Sequence, residues 1–236
     1  MTVEHVGFEV EERESFWRIS LNRPPRHLLD PPLMSSLREA ILELDADDQV
    51  KAIVITGAGD AFCGGLDLEQ IRAGASPVDF AAALVELLRI FPTCGKPIVA
   101  AVNGDALASG YSLVCAADIA IAVEHSRLGT LETSAGIWPM IAQVPAIHRL
   151  APRDALENIL TGEPFEAQRA REVGVVNQVV PADRLWDEVD RWVALSIRAG
   201  AALAAGRRSF YRFLDLTYDE ALTASLDQFR GMFESR

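Results

Sequence analysis

Short apolar runs alternate with helical patterns through the first half of the chain. Residues 52–56, 97–102 and 118–123 are almost wholly apolar, as in strands that are buried on both faces of a sheet. Between these runs, apolar residues recur at helical spacing over 33–44 and 80–90. Strands of this kind, separated by helices, predict an α/β fold with a parallel sheet that helices cover on both sides.

The two ends of the chain depart from this alternation. Residues 6–10 and 16–21 flank a charged turn and predict a β-hairpin. After Arg153 the pattern is mainly helical, with one strand predicted over 175–180. This part contains several large apolar side chains, namely Phe210, Tyr211, Phe213, Leu214 and Phe229. It is too small to bury them by itself, so we expect it to pack on the core or on another subunit of a homo-oligomer.

Composition and charge exclude several classes of protein. The formal net charge of −12 makes nucleic acid and anionic membranes poor partners. No apolar segment reaches the ~20 residues that span a bilayer, and the acidic N-terminal stretch is unlike a targeting peptide. The three cysteines are far apart in sequence, which favours reduced thiols in the cytoplasm over disulfides or a zinc site. The histidines are scattered as well, so we expect no metal and no cofactor.

Two stretches of small residues lie between a predicted strand and a helix. The first reads AFCGGLDL over 61–68, and the second reads NGDALASGYSL over 103–113. Glycine lets a ligand approach the backbone closely, and the amides at a helix start can bind a negative oxygen. One amide from each turn would form an oxyanion hole, although glycines after strands most often only form turns.

Four segments in fixed order extend this observation to nearly the whole chain. They read AFCGGLDLEQI, KPIVAAVNGDALASGYSLVCAADIAIA, SRLGTLETSAGIWP and ILTGEPFEAQRAREVGVVNQVVP. They closely resemble the signature segments of the crotonase superfamily, the enoyl-CoA hydratase/isomerase family. The resemblance implies the crotonase (ClpP/crotonase-like) fold, with a repeated ββα core over 1–190 and a helical oligomerisation segment over 191–236. It also implies an acyl-CoA thioester as substrate and a homotrimer or hexamer, with a C-terminal tail shorter than in relatives.

The resemblance assigns the two thioester-binding amides to Leu66 and Ser109. The small residues around them, Cys63, Gly64, Gly65 and Gly110, are then expected to line the bound thioester. Relatives usually have glycine in place of Ser109. The Ser109 hydroxymethyl group can crowd the thioester or add a donor, and Ser109 can equally serve only as a helix cap.

Hydratases of the family use two glutamates, and this chain retains one of them. Glu132 matches the glutamate that precedes the Gly-x-x-Pro turn, whereas Ser112 stands where the other is expected. No other charge lies between residues 128 and 147, so the pKa of Glu132 is expected to be raised, which suits an acid/base. One glutamate beside an oxyanion hole resembles the enoyl-CoA isomerases, which shift a β,γ double bond to the α,β position.

Other readings of the site remain open. In a hydratase or another lyase, Ser112 or Asp105 would assist Glu132 in orienting water. A third possibility is a non-catalytic acyl-CoA binding protein, which the serines at 109 and 112 favour. Trp138, together with Met140 and Ile141, either lines an apolar acyl pocket or belongs to the core.

The phosphates of CoA require local cations on this acidic chain. Arg23, Arg26 and His27 follow the second predicted strand, where relatives contact the nucleotide. Arg207, Arg208 and Arg212 lie together on a predicted helix of the C-terminal portion and are a second candidate cluster. The sequence leaves open the acyl chain length and the choice between CoA and an acyl carrier.

Overall fold

The computed structural model describes the backbone of residues 1–234 and the side chains through Gly231. The strands in chain order are β1 (Thr2–His5), β2 (Phe8–Glu12), β3 (Trp17–Leu21), β4 (Ile53–Gly57), β5 (Ala61–Cys63), β6 (Ile98–Val102), β7 (Asp105–Leu107), β8 (Ile119–Val123), β9 (Arg127–Gly129), β10 (Phe165–Glu166) and β11 (Gln178–Val180). The α-helices are α1 (Pro31–Ala46), α2 (Leu68–Arg72), α3 (Pro77–Ile90), α4 (Ser109–Ala116), α5 (Gln143–Arg149), α6 (Pro152–Thr161), α7 (Ala167–Glu172), α8 (Leu185–Ser196), α9 (Leu203–Leu214) and α10 (Tyr218–Glu234). Three short 3₁₀ helices cover Glu132–Ala135, Ala182–Arg184 and Gly200–Ala202.

Seven strands form the large sheet in the order β1-β2-β3-β4-β6-β8-β11. The first three pair antiparallel, and every pairing from β3 to β11 is parallel. The predicted hairpin and parallel strands are therefore confirmed, with ends that move by one to three residues. The sequence pattern missed β1, which is short and has no buried side chain.

Both faces of the large sheet are covered, which explains why its strands lack polar residues. In β4, Ile53 and Ile55 point into the main core with α1, α3 and α4, whereas Val54 points to the opposite face. That opposite face is covered by α8 through three buried residues, Leu185, Val189 and Val193. Successive side chains of a strand point to opposite faces, so two covered faces require an unbroken apolar run.

A second, four-stranded sheet in the order β10-β9-β7-β5 forms the floor of the candidate site. Each of its three longer strands follows directly on a strand of the large sheet: β5 on β4, β7 on β6 and β9 on β8. Each pair is followed by a helix, so the repeated ββα core of the crotonase fold is present. The sequence pattern did not show these strands, because three residues are too few to establish a period.

The C-terminal portion is helical from α6 onward except for the short strands β10 and β11. The predicted division of the chain at 190/191 falls inside α8, which packs on the large sheet. Beyond it, α9 is held to the core by Arg207, which bonds Asp118 and the carbonyl groups of Phe91 and Cys94. The role of residues 191–236 in oligomerisation stays a prediction.

Candidate active site

The two glycine-rich turns follow neighbouring parallel strands of the small sheet. β5 leads into the first turn and β7 into the second, and the two strands pair directly. The turns also pack against each other: a Cβ atom added to Gly65 would lie 2.7 Å from the Cβ of Ala108 and 3.3 Å from the amide nitrogen of Ser109. One added to Gly110 would lie 2.2 Å from the carbonyl oxygen of Cys63. The bare backbone therefore brings the two turns into contact.

Backbone hydrogen bonds of the residues before and after Leu66 hold the Leu66 amide in position. The Leu29 amide donates to the carbonyl oxygen of Gly65 at 2.8 Å, and the Asp67 amide donates to the carbonyl oxygen of Leu29 at 2.9 Å. Among the described residues, no acceptor is recorded for the Leu66 amide itself. It thus remains available to a ligand oxygen, as an oxyanion hole requires.

The second amide is presented by a strained residue that the sequence analysis missed. Ala108 has φ 52° and ψ −122°, a conformation that normally requires glycine. The first backbone bond of α4 runs from the Ser112 amide to the carbonyl oxygen of Ala108 at 3.3 Å. The amide of Ser109 precedes that bond and is an unpaired donor at the helix start. No bond is recorded for the Ser109 hydroxyl within residues 1–234, although the residue is only 2% exposed.

Glu132 is brought to the same place by β9. The Ala108 amide donates to the carbonyl oxygen of Gly129 at 2.8 Å, and Glu132 begins the 3₁₀ helix three residues later. Its Oε2 atom accepts a bond from the Leu131 amide at 2.9 Å. Burial raises the pKa of Glu132 above the usual glutamate value, and backbone bonds to the carboxylate oppose this only in part. Its protonated and ionised forms are therefore closer in energy than on a surface glutamate.

The backbone before Glu132 is fixed by α6, which the sequence analysis did not connect to the site. Asn158 bonds the backbone and the hydroxyl group of Thr130. The Thr133 hydroxyl donates to the carbonyl oxygen of Ile159 at 2.6 Å. In the sequence, the one available signal for this contact was a polar Asn at a position of α6 where the helical spacing expects a buried residue.

The two side chains considered as assistants to Glu132 have other partners. The Ser112 hydroxyl is fully buried and donates to the carbonyl oxygen of Ala142 at 2.9 Å. Asp105 lies at the opposite end of β7 from Ser109 and pairs with Arg127 at 2.6 Å. Within the described residues, neither side chain has a recorded bond with Glu132.

The apolar residues after Glu132 are exposed rather than core. Trp138 is 42% exposed and Met140 is 67% exposed. The indole Nε1 of Trp138 donates to the side chain of Gln143 at 3.0 Å, and only Ile141 of this group packs against the core. The reading of Trp138 and Met140 as ordinary core is therefore wrong, and their place in an acyl pocket stays a prediction.

Two of the side chains predicted to contact CoA, Arg23 and His27, bond to other groups of the protein. Arg23 pairs with Asp30 at 2.8 Å and lies 3.6 Å from Asp67. His27 is buried: its Nδ1 accepts from the Arg23 amide at 3.0 Å, and its Nε2 lies 2.7 Å from the carbonyl oxygen of Ala58. Both side chains therefore hold the loop beside the first turn.

Arg26 is exposed and has no recorded side-chain partner among the described residues. Its carbonyl oxygen accepts from the Gly64 amide at 2.7 Å, which places it directly beside the first turn. Cys63 is sealed in the core, and burial raises the pKa of its thiol to about 12. A thiol of this kind packs rather than reacts.

Two of the three candidate arginines of α9 bond to groups of the same chain, whereas Arg212 is exposed. Arg207 is almost buried and pairs with Asp118 at 2.8 Å. Arg208 donates to the carbonyl oxygen of Thr93 at 3.0 Å and contacts Asp45 at 3.3 Å. The expectation that these two arginines bind phosphate therefore lacks support within one chain.

One cavity lies apart from the candidate site residues described above. It has a volume of about 670 Å³ and lies at the C-terminal end of α4, between α3, α5 and α9. Its lining is mainly apolar and includes Cys115, Ile141 and Phe210, but not Leu66, Ser109 or Glu132.

Among the described residues, no helix is long and apolar enough to cross a membrane. Within the same residues, no cluster of three or more potential metal ligands is found.

Two amides without a recorded partner among the described residues, and a half-buried carboxyl group on the segment bonded to the second turn, lie on a repeated ββα core of the crotonase type. Comparison with known proteins agrees: the family model "Enoyl-CoA hydratase/isomerase" matches residues 11–236. This chain belongs to the enoyl-CoA hydratase/isomerase family of the crotonase superfamily, whose members act on acyl-CoA thioesters.

Individual relatives cover most of the chain. It is 34% identical over 218 residues to the mitochondrial enoyl-CoA hydratase domain-containing protein 3 of Xenopus laevis, covering 89% of this chain and 74% of the relative. It is 32% identical over 241 residues to a probable enoyl-CoA hydratase of Mycobacterium bovis, covering 100% and 90%. A crystal structure of enoyl-CoA hydratase from Mycobacterium smegmatis superimposes with a TM-score of 0.90 at 28% identity, covering 96% of this chain and 91% of that one.

Proposed function

We propose that the protein isomerises enoyl-CoA thioesters, shifting a β,γ double bond to the α,β position. The observation that carries the proposal is a single half-buried carboxyl group of raised pKa, Glu132, on the segment bonded to the turn of Ser109. The Leu66 and Ser109 amides have no recorded partner among the described residues, and the other acid considered, Asp105, pairs with Arg127. One group that both removes and returns a proton is sufficient for this reaction, which needs no cofactor.

The chemistry follows from the position of the proton and of the negative charge. Glu132 removes a proton from C2 of a 3-enoyl thioester, and the electron pair moves onto the thioester oxygen to give a dienolate. The amides of Leu66 and Ser109 bind that oxygen while it is negative. Each such donor is worth ~3–4 kcal/mol of transition-state stabilisation. The protonated Glu132 then delivers the same proton to C4, and the double bond comes to lie between C2 and C3.

The raised pKa of Glu132 supports the second half of this cycle. An acid that returns a proton near neutral pH works best when its pKa approaches the working pH. Burial of Glu132 moves its pKa in that direction.

Hydration of a 2-enoyl thioester is the second candidate, and the names of the relatives favour it. The M. bovis relative is called a probable enoyl-CoA hydratase, and the X. laevis relative is called an enoyl-CoA hydratase domain-containing protein. A carnitinyl-CoA dehydratase of Proteus mirabilis is 33% identical over 204 residues. Against it, the Ser112 hydroxyl donates to Ala142 and gives no evident help in orienting water.

The deciding experiment supplies both substrates. Purified protein is mixed with a 3-enoyl-CoA and separately with a 2-enoyl-CoA in water, and the two products are quantified. We expect isomerisation, and we expect Glu132→Gln to reduce it by at least about 10²-fold, the low end for a lost acid/base group. The matched control is Glu163→Gln, which removes an exposed carboxylate from the loop after α6.

Each other outcome points to a different function. Hydration without isomerisation would establish the hydratase alternative. Tight binding of both thioesters without turnover would show a non-catalytic acyl-CoA binding protein.

We place the reaction in the cytoplasm on the strength of the three cysteines, which are all free and buried.

A further inference from the structure

Asn158 is a buried amide with every hydrogen-bonding group in use. It lies on α6 and is 1% exposed. Its Oδ1 accepts from the amide of Thr130 at 2.7 Å and from the Thr130 hydroxyl at 2.9 Å. Its Nδ2 donates to the carbonyl oxygen of Thr130 at 3.1 Å and to that of Glu163 at 2.9 Å. Asn158 therefore binds the backbone amide, the backbone carbonyl and the hydroxyl group of Thr130.

The close fit depends on the residue before Thr130. A Cβ atom added to Gly129 would lie 2.6 Å from the Nδ2 atom of Asn158, so only glycine lets the amide approach the strand. The next residue of α6 supports the same segment, because the Thr133 hydroxyl donates to the carbonyl oxygen of Ile159. The end of α6 is thus a platform under the residues on both sides of Glu132.

Thr130 stands between the two halves of the candidate site. On one side, the carbonyl oxygen of Gly129 accepts from the Ala108 amide, which fixes the chain to the turn that presents the Ser109 amide. On the other side, Glu132 follows two residues later. The bonds that hold Thr130 therefore also set the position of Glu132 relative to the turn that presents the Ser109 amide.

We propose that Asn158 is a positioning residue, which sets the placement of the Glu132 carboxyl group relative to the amide of Ser109. It touches no substrate and acts only through Thr130. Three of its four bonds go to Thr130, whose buried backbone amide and carbonyl would lose these partners without the Asn158 side chain, and this set of bonds holds the segment that leads into Glu132 in one position. The proposal rests on the proposed function, because Glu132 must be the acid/base for its placement to matter.

The test uses three variants of the full chain. Asn158→Leu keeps the approximate volume and removes all four bonds without adding a charge. Thr130→Val removes only the hydroxyl bond and is the milder variant if Asn158→Leu fails to fold. Asn177→Leu is the matched control, since it also loses a bond to the backbone, from the Ala120 amide at 2.8 Å, but on the large sheet.

The first readout is kinetic. A misplacement of about 1 Å can reduce a rate by about 10²-fold, so we expect kcat of Asn158→Leu to fall by about 10- to 100-fold while KM stays within about twofold. Thr130→Val is expected to show a smaller loss of the same kind. Asn177→Leu should keep kcat and KM.

The second readout does not need turnover. In protein labelled with ¹³C at the glutamate carboxyl groups, Glu132 is assigned by its absence from Glu132→Gln and then titrated by NMR. In folded Asn158→Leu or Thr130→Val, we expect its midpoint to move toward the usual glutamate value, because a loosened turn admits water. Unchanged titration and unchanged kcat in both variants, with only a lower melting temperature, would overturn the proposal and leave Asn158 a purely structural residue. If the wild type turns over no enoyl thioester, the proposed function fails, and the titration still decides the role of Asn158.

Discussion

The amide nitrogen of Ala108 donates to the carbonyl oxygen of Gly129 at 2.8 Å, and this bond joins the oxyanion turn to the segment that carries Glu132. It is made while Ala108 adopts φ 52°, which a residue with a side chain rarely does. The surrounding structure therefore imposes this conformation, and the strain is stored where the second amide is presented.

Replacing Ala108 by glycine is expected to stabilise the protein. Glycine adopts the conformation without strain, and the relief exceeds the greater backbone entropy that glycine loses on folding, leaving a gain of about 1 kcal/mol in the free energy of unfolding. Activity should stay within about twofold, because the amide of Ser109 keeps its place. Urea unfolding measures the effect. Ala106→Gly, a fully buried position of β7 at an ordinary φ, is the control and should destabilise. A loss of stability in Ala108→Gly would contradict the strain argument.

Replacing Gly65 by alanine is expected to remove activity and to lower stability. The new methyl group would lie 2.7 Å from the Cβ of Ala108, and the residue would be held at φ 93°. Pushing the two turns apart moves the amides of Leu66 and Ser109 away from a common oxygen. We expect a loss of at least about 10²-fold in kcat, comparable to losing one donor.

Gly59→Ala is the control for Gly65→Ala: it adds the same backbone strain without adding a contact between the two turns. Gly59 also has a positive φ, 69°, but nothing lies within 4 Å of an added Cβ. It should cost about 1 kcal/mol of stability without a loss of kcat in the folded protein. Equal losses of kcat in Gly59→Ala and Gly65→Ala would show that contact between the turns is not what matters.

The sequence was informative where a pattern repeats and silent where contacts are long-range. The buried strands and α4 were predictable because a strand covered on both faces has no polar residues, and because small residues mark the approach of the backbone to a ligand. The small sheet was not predictable from three-residue strands. The partners of Arg23, His27 and Arg207 were not predictable either, since an arginine that binds phosphate and one that bonds a distant carbonyl look alike in sequence.

Arg26 and Arg23 are expected to differ in how they affect CoA. Arg26 is exposed beside the first turn without a recorded partner, so Arg26→Ala should raise KM for a CoA thioester by about fivefold, the scale of one exposed ionic contact of ~1 kcal/mol. Arg23→Ala should instead lower the melting temperature, because it breaks the contacts to Asp30, the N-cap of α1, and to Asp67, the residue after Leu66.

A truncated substrate checks this assignment. A pantetheine thioester lacks the nucleotide and its phosphates, so KM for it should be the same in Arg26→Ala and in the wild type. An equal rise of KM for both thioesters would mean that Arg26 acts through the turn rather than on the phosphates.

The exposed apolar residues of the last helices predict a homo-oligomer, and the family resemblance implies that it is a homotrimer or hexamer. Phe210 and Leu214 on α9 and Leu222 and Leu226 on α10 are each about half exposed or more, and a monomer rarely leaves so many large apolar groups uncovered. The double change Leu222→Asp and Leu226→Asp should dissociate the assembly in multi-angle light scattering. Ser225→Asp, an exposed polar position of the same helix, should leave it intact, and a monomeric wild type at micromolar concentration would refute the prediction.

Glu132→Gln should change stability in a pH-dependent way. Because burial raises the pKa of Glu132, the folded state binds its proton more tightly than the unfolded state. The stability due to this group is fully present below the unfolded-state pKa of about 4.3 and is lost as pH rises through the folded-state value. At neutral pH the wild type therefore carries a penalty that glutamine lacks, and Glu132→Gln should be the more stable protein in urea unfolding.

Glu188→Gln provides a control of opposite sign. The bond from Arg191 to the Glu188 carboxylate, at 2.6 Å, lowers the pKa of Glu188. Its contribution is present above the unfolded-state pKa and is lost as pH falls through the folded-state value, so Glu188→Gln should be less stable than the wild type at neutral pH. The two differences should both shrink toward acid pH, from opposite directions. If Glu132→Gln is instead less stable than the wild type at pH 7, the carboxyl group is solvated or paired in solution, and an acid/base role that depends on its burial is lost with it.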